Sequence, residues 1–142
     1  MADGLFVYGT LRSGGRNHGW IRRTLPEGST LAYCPGRLFQ LPGQGYPAMV
    51  PAPEPQPGPP GPGWIVGEFI GYEDDQALEN AVQDLDPLED VDGGLFQRRL
   101  SLVVLDSGHR YTAWVYVFPE ERLPRLERDA LELPAGDWAG YL

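Results

Sequence analysis

Two short stretches concentrate the side chains able to do chemistry. In the first, the apolar run Leu5–Tyr8 passes straight into a glycine-rich turn, "YGTLRSGG", residues 8–15. In the second, Asp84, Asp86, Glu89, Asp90 and Asp92 crowd the segment "DLDPLEDVDGG". A glycine-rich turn after a first strand suggests phosphate, and Gly9 and Gly14 match the outer glycines of G-x-x-x-x-G-K-[ST]. Gly15 and Arg16 stand where the lysine and the Ser/Thr belong. Neither the ammonium nor the magnesium-binding hydroxyl is there, so no nucleotide site is expected. An acidic crowd is by default a solvated face. Glu89 stands apart because Leu85 and Leu88 lie beside it and "GGLF" follows. A carboxylate at a helix exit, facing a concave sheet, is partly desolvated, which raises its pKa toward the range of general acid–base work.

Other chemistry is poorly served. The chain has two histidines, His18 and His109, and one cysteine, Cys34, with no metal-ligand spacing among them. His109 falls in a hairpin turn, where a solvated role is expected. Cys34, with no histidine promised beside it, reads as a small apolar residue.

The elements that must position these residues are legible in outline. Leu5–Tyr8 is a strand. A short helix follows, with Asn17 as a cap and Trp20, Ile21 and Leu25 on one face. "STLAYCPGRLFQL" and "YPAMV" read as strand pieces broken by Pro35, Gly36, Pro42 and Gly43. Pro51–Gly63 holds seven prolines and three glycines in thirteen residues. It is expected to be an extended surface loop, partly polyproline II. "WIVGEFIGY" is a further strand. Ala77, Leu78, Ala81, Val82 and Leu85 then recur at helical spacing behind Glu73, Asp74 and Asp75, with Pro87 ending that helix. "LFQRRLSLVVL" and "YTAWVYVF" form a hairpin around "DSGH", and a turn or two of amphipathic helix surrounds Leu126 and Leu131. Trp138 and Tyr141 pack the tail onto the body. Six or so strands and two or three helices in mixed order give an α+β fold with a curved sheet or barrel.

Composition bounds the partners. A length of 142 residues, 42% of them apolar, suits one domain spanning 1–142. Eleven Lys+Arg against twenty Asp+Glu leave a net charge of -9, which repels nucleic acid and anionic lipid. There is no apolar run of membrane length, no charged and apolar leader at "MADG", and a lone cysteine. A cytoplasmic protein is expected.

"FVYGTLRSGGRNH" and "LDPLEDVDGGLFQRR", followed by "AWVYVF", resemble the gamma-glutamylcyclotransferase family, most closely the gamma-glutamylamine cyclotransferase branch and its small bacterial relatives. "GRLFQLPGQGYPAMV" and "WIVGEFIGY" resemble that family's middle strands in the same order, so the likeness runs from Leu5 to Phe118 with the proline loop, 51–63, as an insertion. It implies a small mixed β-barrel with two or three flanking helices. It also implies metal-free, cofactor-free cyclisation of a gamma-glutamyl amine or peptide into 5-oxoproline and free amine. The family's Y-G-[ST]-L substrate loop falls on Tyr8, Gly9, Thr10 and Leu11, and its catalytic glutamate on Glu89. Such a turn offers backbone N–H groups and the Thr10 hydroxyl to a glutamyl α-carboxylate, while Glu89 moves the proton from the attacking amine to the departing one.

Relatives carry Y-x-R shortly after the glutamate; here the triplet is Phe96, Gln97 and Arg98. The missing hydroxyl leaves Tyr116 and Tyr46 as substitutes. Arg98 either pairs with an acid of the crowded segment or sits on a solvated strand. Arg12 and Asn17 organise the loop, unless Asn17 only caps the helix. Two other readings stay open: a catalytically weakened relative that binds a small carboxylate, and an interaction protein working through the proline loop. Neither the leaving amine nor the oligomeric state can be read from the residues.

Overall fold

The computed structural model describes residues 2–13, 15–23 (backbone alone at 22 and 23), 28–43 and 45–138. Gly14, Leu25 and Tyr141 therefore lie outside the described residues. The first strand, β1 (Gly4–Val7), is buried along its whole length, which is why it reads as a continuous apolar run. Strand alternation then sorts its side chains. Phe6 joins the core that holds Cys34, Ile65, Val103 and Val115. Leu5 and Val7 face the core shared with the helical layer, Leu78, Val82 and Leu85.

The remaining strands are β2 (Gly28–Gln40), β3 (Pro47–Pro51), β4 (Trp64–Gly71), β5 (Gln97–Leu105), β6 (Arg110–Val117) and the short β7 (Leu131–Glu132). β1 pairs antiparallel with β4 and parallel with β6. The order β3-β2-β4-β1-β6-β5 closes on itself because Ala32 and Tyr33 of β2 also pair with Leu105 and Val104 of β5. Five strands thus form a mixed barrel, with β3 and β7 as extra strands on β2. The β5–β6 hairpin turns at 106–109, as its sequence predicts, and His109 there is exposed.

Three expectations need correcting. β2 is one thirteen-residue strand running through Pro35 and Gly36. Its pairing with β4 ends at Pro35 and its pairing with β3 begins at Gly36, so the proline sits at a change of partner and interrupts no continuous ladder. After the short helix α1 (His18–Arg23), the helix α2 (Asp75–Leu88) includes Pro87 in its last turn instead of stopping before it. There the lost donor costs one bond at a frayed end. At its other end the Asp74 carboxylate accepts from the Ala77 N–H at 2.8 Å, the capping bond expected of an acid at that position. Third, Leu131 is not part of an amphipathic helix: α3 (Leu123–Asp129) anchors through buried Leu126, and Leu131 is exposed in β7.

The proline-rich connection between β3 and β4 is irregular and mostly exposed, but tethered. Glu54 pairs with Arg110 at 2.7 Å, and the Trp64 indole N–H reaches the Pro57 carbonyl at 3.4 Å. Trp138 is buried, its indole N–H 2.6 Å from Gln40 Oε1, which docks the tail. No helix among the described residues is long and apolar enough to cross a membrane.

Candidate active site

At the carboxyl end of β1 the chain leaves the sheet, and the tip of α2 comes to meet it. Between them lies a small cleft. The turn contributes Tyr8, Gly9, Thr10 and Leu11 to its wall, α2 contributes Glu89, and Tyr46, Pro47, Phe96 and Tyr116 close it. Every residue singled out from the sequence for catalysis or substrate contact lines this one cavity.

The turn is held from behind. The Asn17 backbone N–H donates to the Thr10 carbonyl at 2.9 Å and its side-chain amide to Thr10 Oγ1 at 3.0 Å. Asn17 thus serves the loop, and with one lone pair of Oγ1 taken, the Thr10 O–H is left as a donor. His18 Nδ1 lies 2.9 Å from the Leu11 carbonyl, which requires a proton on that nitrogen. Ser13 is tied through its N–H and hydroxyl to Glu68 of β4 at 3.0 and 3.1 Å. The buried Arg12 reaches Asp137 at 2.8 Å and ties the turn to the tail. With the turn so braced, the N–H groups of Gly9, Thr10 and Leu11 donate to no other group among the described residues. Gly9 is small for a packing reason: a Cβ there would stand 2.8 Å from the Pro47 ring.

Opposite stands Glu89, half-buried at the carboxyl cap of α2, its N–H bonded to the Leu85 carbonyl at 3.0 Å. Its carboxylate has no hydrogen-bond or ion-pair partner among the described residues. Burial raises its pKa from 4.5 to about 7, because nothing nearby compensates for the lost hydration. The following residue, Asp90, has φ 52°, a left-handed conformation uncommon outside glycine that Asp tolerates better than most side chains.

Two phenols face the same space. The Tyr8 hydroxyl donates to the Tyr116 carbonyl, and the Tyr116 hydroxyl to Asp86 Oδ1 at 2.8 Å. Burial raises both pKa values, and the charge of Glu89 adds to each. Both therefore remain protonated near neutrality, while Glu89 titrates there. Asp86 also accepts from Arg98 Nε at 3.0 Å, and that guanidinium lies 4.3 Å from the centre of the Trp114 ring. Arg98 thus pairs with the acidic segment. Phe96 supplies an aromatic wall, with its ring centroid 6.0 Å from Tyr46 and 5.1 Å from Phe118. Pro47 and His18 gave no sequence signal as site components, and Asp86 read only as one acid of a crowded segment, since each acts through a partner distant in the chain or through a fold not yet known. Cys34 lies outside the cleft, fully buried, its thiol pushed up to about 12 by that burial.

A cradle of free amides facing an isolated carboxylate agrees with a family model described as gamma-glutamyl cyclotransferase, AIG2-like, which matches residues 5–140. The chain belongs to that family. A relative from Niallia circulans, named gamma-L-glutamyl-butirosin B gamma-glutamyl cyclotransferase, is 28% identical, with 96% of this chain and 76% of the relative aligned. Among solved structures, YkqA from Bacillus subtilis is 25% identical with a TM-score of 0.58, covering 97% of this chain. The chain spans only 40% of YkqA. An aig2-like protein from Mus musculus superposes with a TM-score of 0.57 over 86% of this chain and 82% of its own, at 21% identity, and so speaks for the fold alone. The mixed barrel with three helices is thus the fold of the gamma-glutamyl cyclotransferase family.

Proposed function

We propose that this family member cyclises a gamma-glutamyl amide to 5-oxoproline and releases the attached amine, with Glu89 carrying the proton. The observation that supports this most is the partnerless, desolvated Glu89 carboxylate facing unused backbone N–H groups across one small cleft. In this reading the N–H groups of Gly9, Thr10 and Leu11, with the Thr10 hydroxyl, hold the anionic glutamyl head. The chain is kept bent so that its α-amine lies against its own γ-carbonyl. Holding such an internal nucleophile in place is worth roughly 7–11 kcal/mol.

The α-amine, with an ordinary pKa of about 8, arrives largely as ammonium. Glu89 takes one proton, the amine nitrogen bonds to the γ-carbon, and that nitrogen, still bearing two hydrogens, sheds the second proton to water as the ring closes. The tetrahedral oxyanion then collapses, the bond to the leaving nitrogen breaks, and Glu89 returns the proton there. A carboxyl near pKa 7 is suited to both transfers, whereas one left at 4.5 would be a weak base and a weaker acid. Phe96 brings no hydroxyl to the cleft, and the Tyr8 and Tyr116 phenols that line it already donate to the Tyr116 carbonyl and to Asp86, which leaves their oxygens as acceptors. Tyr46 contributes a wall and a rim.

The test is direct. Incubation with gamma-glutamyl compounds should yield 5-oxoproline, and Glu89→Gln, folded as the parent, should lose turnover by roughly a hundredfold or more. Retention of most activity by that variant would remove Glu89 from the mechanism.

A further inference from the structure

A second, open concavity abuts the cleft. Tyr46 lines both, and the Phe96 wall of the first packs edge-on against Phe118 of the second. Because Tyr46 is common to both, an amine leaving the small cleft past Tyr46 would enter this groove. Leu41, Leu95, Phe118 and Leu126 give it an apolar side, and Arg122, Arg125 and Asp129 a polar side of about equal extent.

Charge sits on the side formed by the 3-10 turn 120–122 and α3, and it is uneven. Arg125 and Asp129 offset one another at 3.9 Å. Arg122 has no carboxylate within ion-pair distance among the described residues. Its guanidinium is instead fixed in place by the Gly94 and Leu95 carbonyls at 2.8 and 3.3 Å and lies 5.4 Å from the Phe118 ring centre. An oriented, uncompensated cation beside an aromatic floor, in a chain of net charge -9, favours an anionic group on the ligand and disfavours a cationic one.

Building on the cyclotransferase reading above, we propose that the Tyr46–Phe118–Arg122 groove binds the leaving amine, and that this amine has an apolar or aromatic body bearing an anionic group. A hydrophobic α-amino acid is the simplest member of that class.

Four substrates test it: gamma-glutamyl-phenylalanine, gamma-glutamyl-phenethylamine, gamma-glutamyl-putrescine and gamma-glutamyl-methylamine, each followed by 5-oxoproline release. The order of kcat/KM should be phenylalanine, then phenethylamine, then methylamine and putrescine, with at least tenfold between the first and the last two. Arg122→Gln should bring the phenylalanine to phenethylamine ratio down about tenfold, and Arg122→Lys should restore it. A purely structural role for Arg122 would move both substrates together and overturn the assignment. Equal kcat/KM across the panel would sink the groove while leaving the cyclotransferase reading intact. Should no substrate yield 5-oxoproline, that reading fails, and the groove is judged by calorimetry on the Glu89→Gln protein. Tighter binding of gamma-glutamyl-phenylalanine than of gamma-glutamyl-methylamine supports it, and equal or absent binding ends it.

Discussion

Glu89 carries a cost that can be measured without any substrate. A carboxyl whose pKa is raised in the folded state is disfavoured there as an anion. Below the unfolded value, 4.5, both states hold the proton and the penalty vanishes. Between 4.5 and about 7 the native state holds more proton than the unfolded one, so stability falls as pH rises, and above about 7 the loss is complete. Glu89→Gln should therefore be the more stable protein near pH 8, by about 1–3 kcal/mol, with the difference disappearing near pH 4. Urea titrations at the two pH values check this, and a constant difference would contradict the raised pKa. Turnover should move the other way: kcat/KM climbs with pH on a limb near 7, as Glu89 loses its proton. The next residue offers a separate test. Asp90 holds the left-handed φ of 52° that glycine adopts freely. Asp90→Gly is expected to raise stability by about 0.5–1 kcal/mol in chemical denaturation, the relieved strain outweighing the added freedom of the unfolded chain.

At the scale of elements, the site is the meeting of a strand end with a helix end. Gly9→Ala should show how closely they are set, since the new methyl would lie 2.8 Å from the Pro47 ring with no backbone strain to confuse the result. Displacing the turn is expected to cost about 1–3 kcal/mol and to lower kcat/KM by more than stability alone accounts for, measured as turnover of the fully folded variant. These two elements were also the ones legible in the sequence. The apolar run into "YGTL" marks β1 and its turn, and the stripe Leu78–Leu85 ending in "DPLED" places Glu89 at a helix exit. What stayed hidden was long-range. Pro35 reads locally as a breaker, and only the change of partner from β4 to β3 shows why it is tolerated. Pairing of Ala32 and Tyr33 with β5, which closes the barrel, leaves no mark in either strand. Nor does any spacing announce that Asp86 holds the hydroxyl of Tyr116, thirty residues on. That contact depends on a helix packing over a sheet whose curvature is set elsewhere.

For the molecule as a whole, the proline-rich loop separates an enzyme from an interaction protein. Its residues line neither concavity. Its ion pair, Glu54 with Arg110, is exposed, and such pairs contribute about 0–1 kcal/mol. Trp64 is buried beneath it, so replacing residues 52–62 by a short Gly/Ser linker should lower stability while leaving 5-oxoproline formation within about twofold, since longer or shorter surface loops change closure entropy only slightly. Loss of turnover on that replacement would mean that the loop reaches the chemistry.

The parallel pairing of β1 with β6 has a consequence for how the protein is born. Leu5 finds its neighbour at Trp114, more than a hundred residues downstream, and Tyr116, whose carbonyl receives the Tyr8 hydroxyl, comes later still. A chain emerging from the ribosome makes the turn first but cannot seat it until the sixth strand has been synthesised. Such distant contacts slow folding. Partly made chains have no wall on one side of the cavity, so the cavity is completed only once β6 has been made.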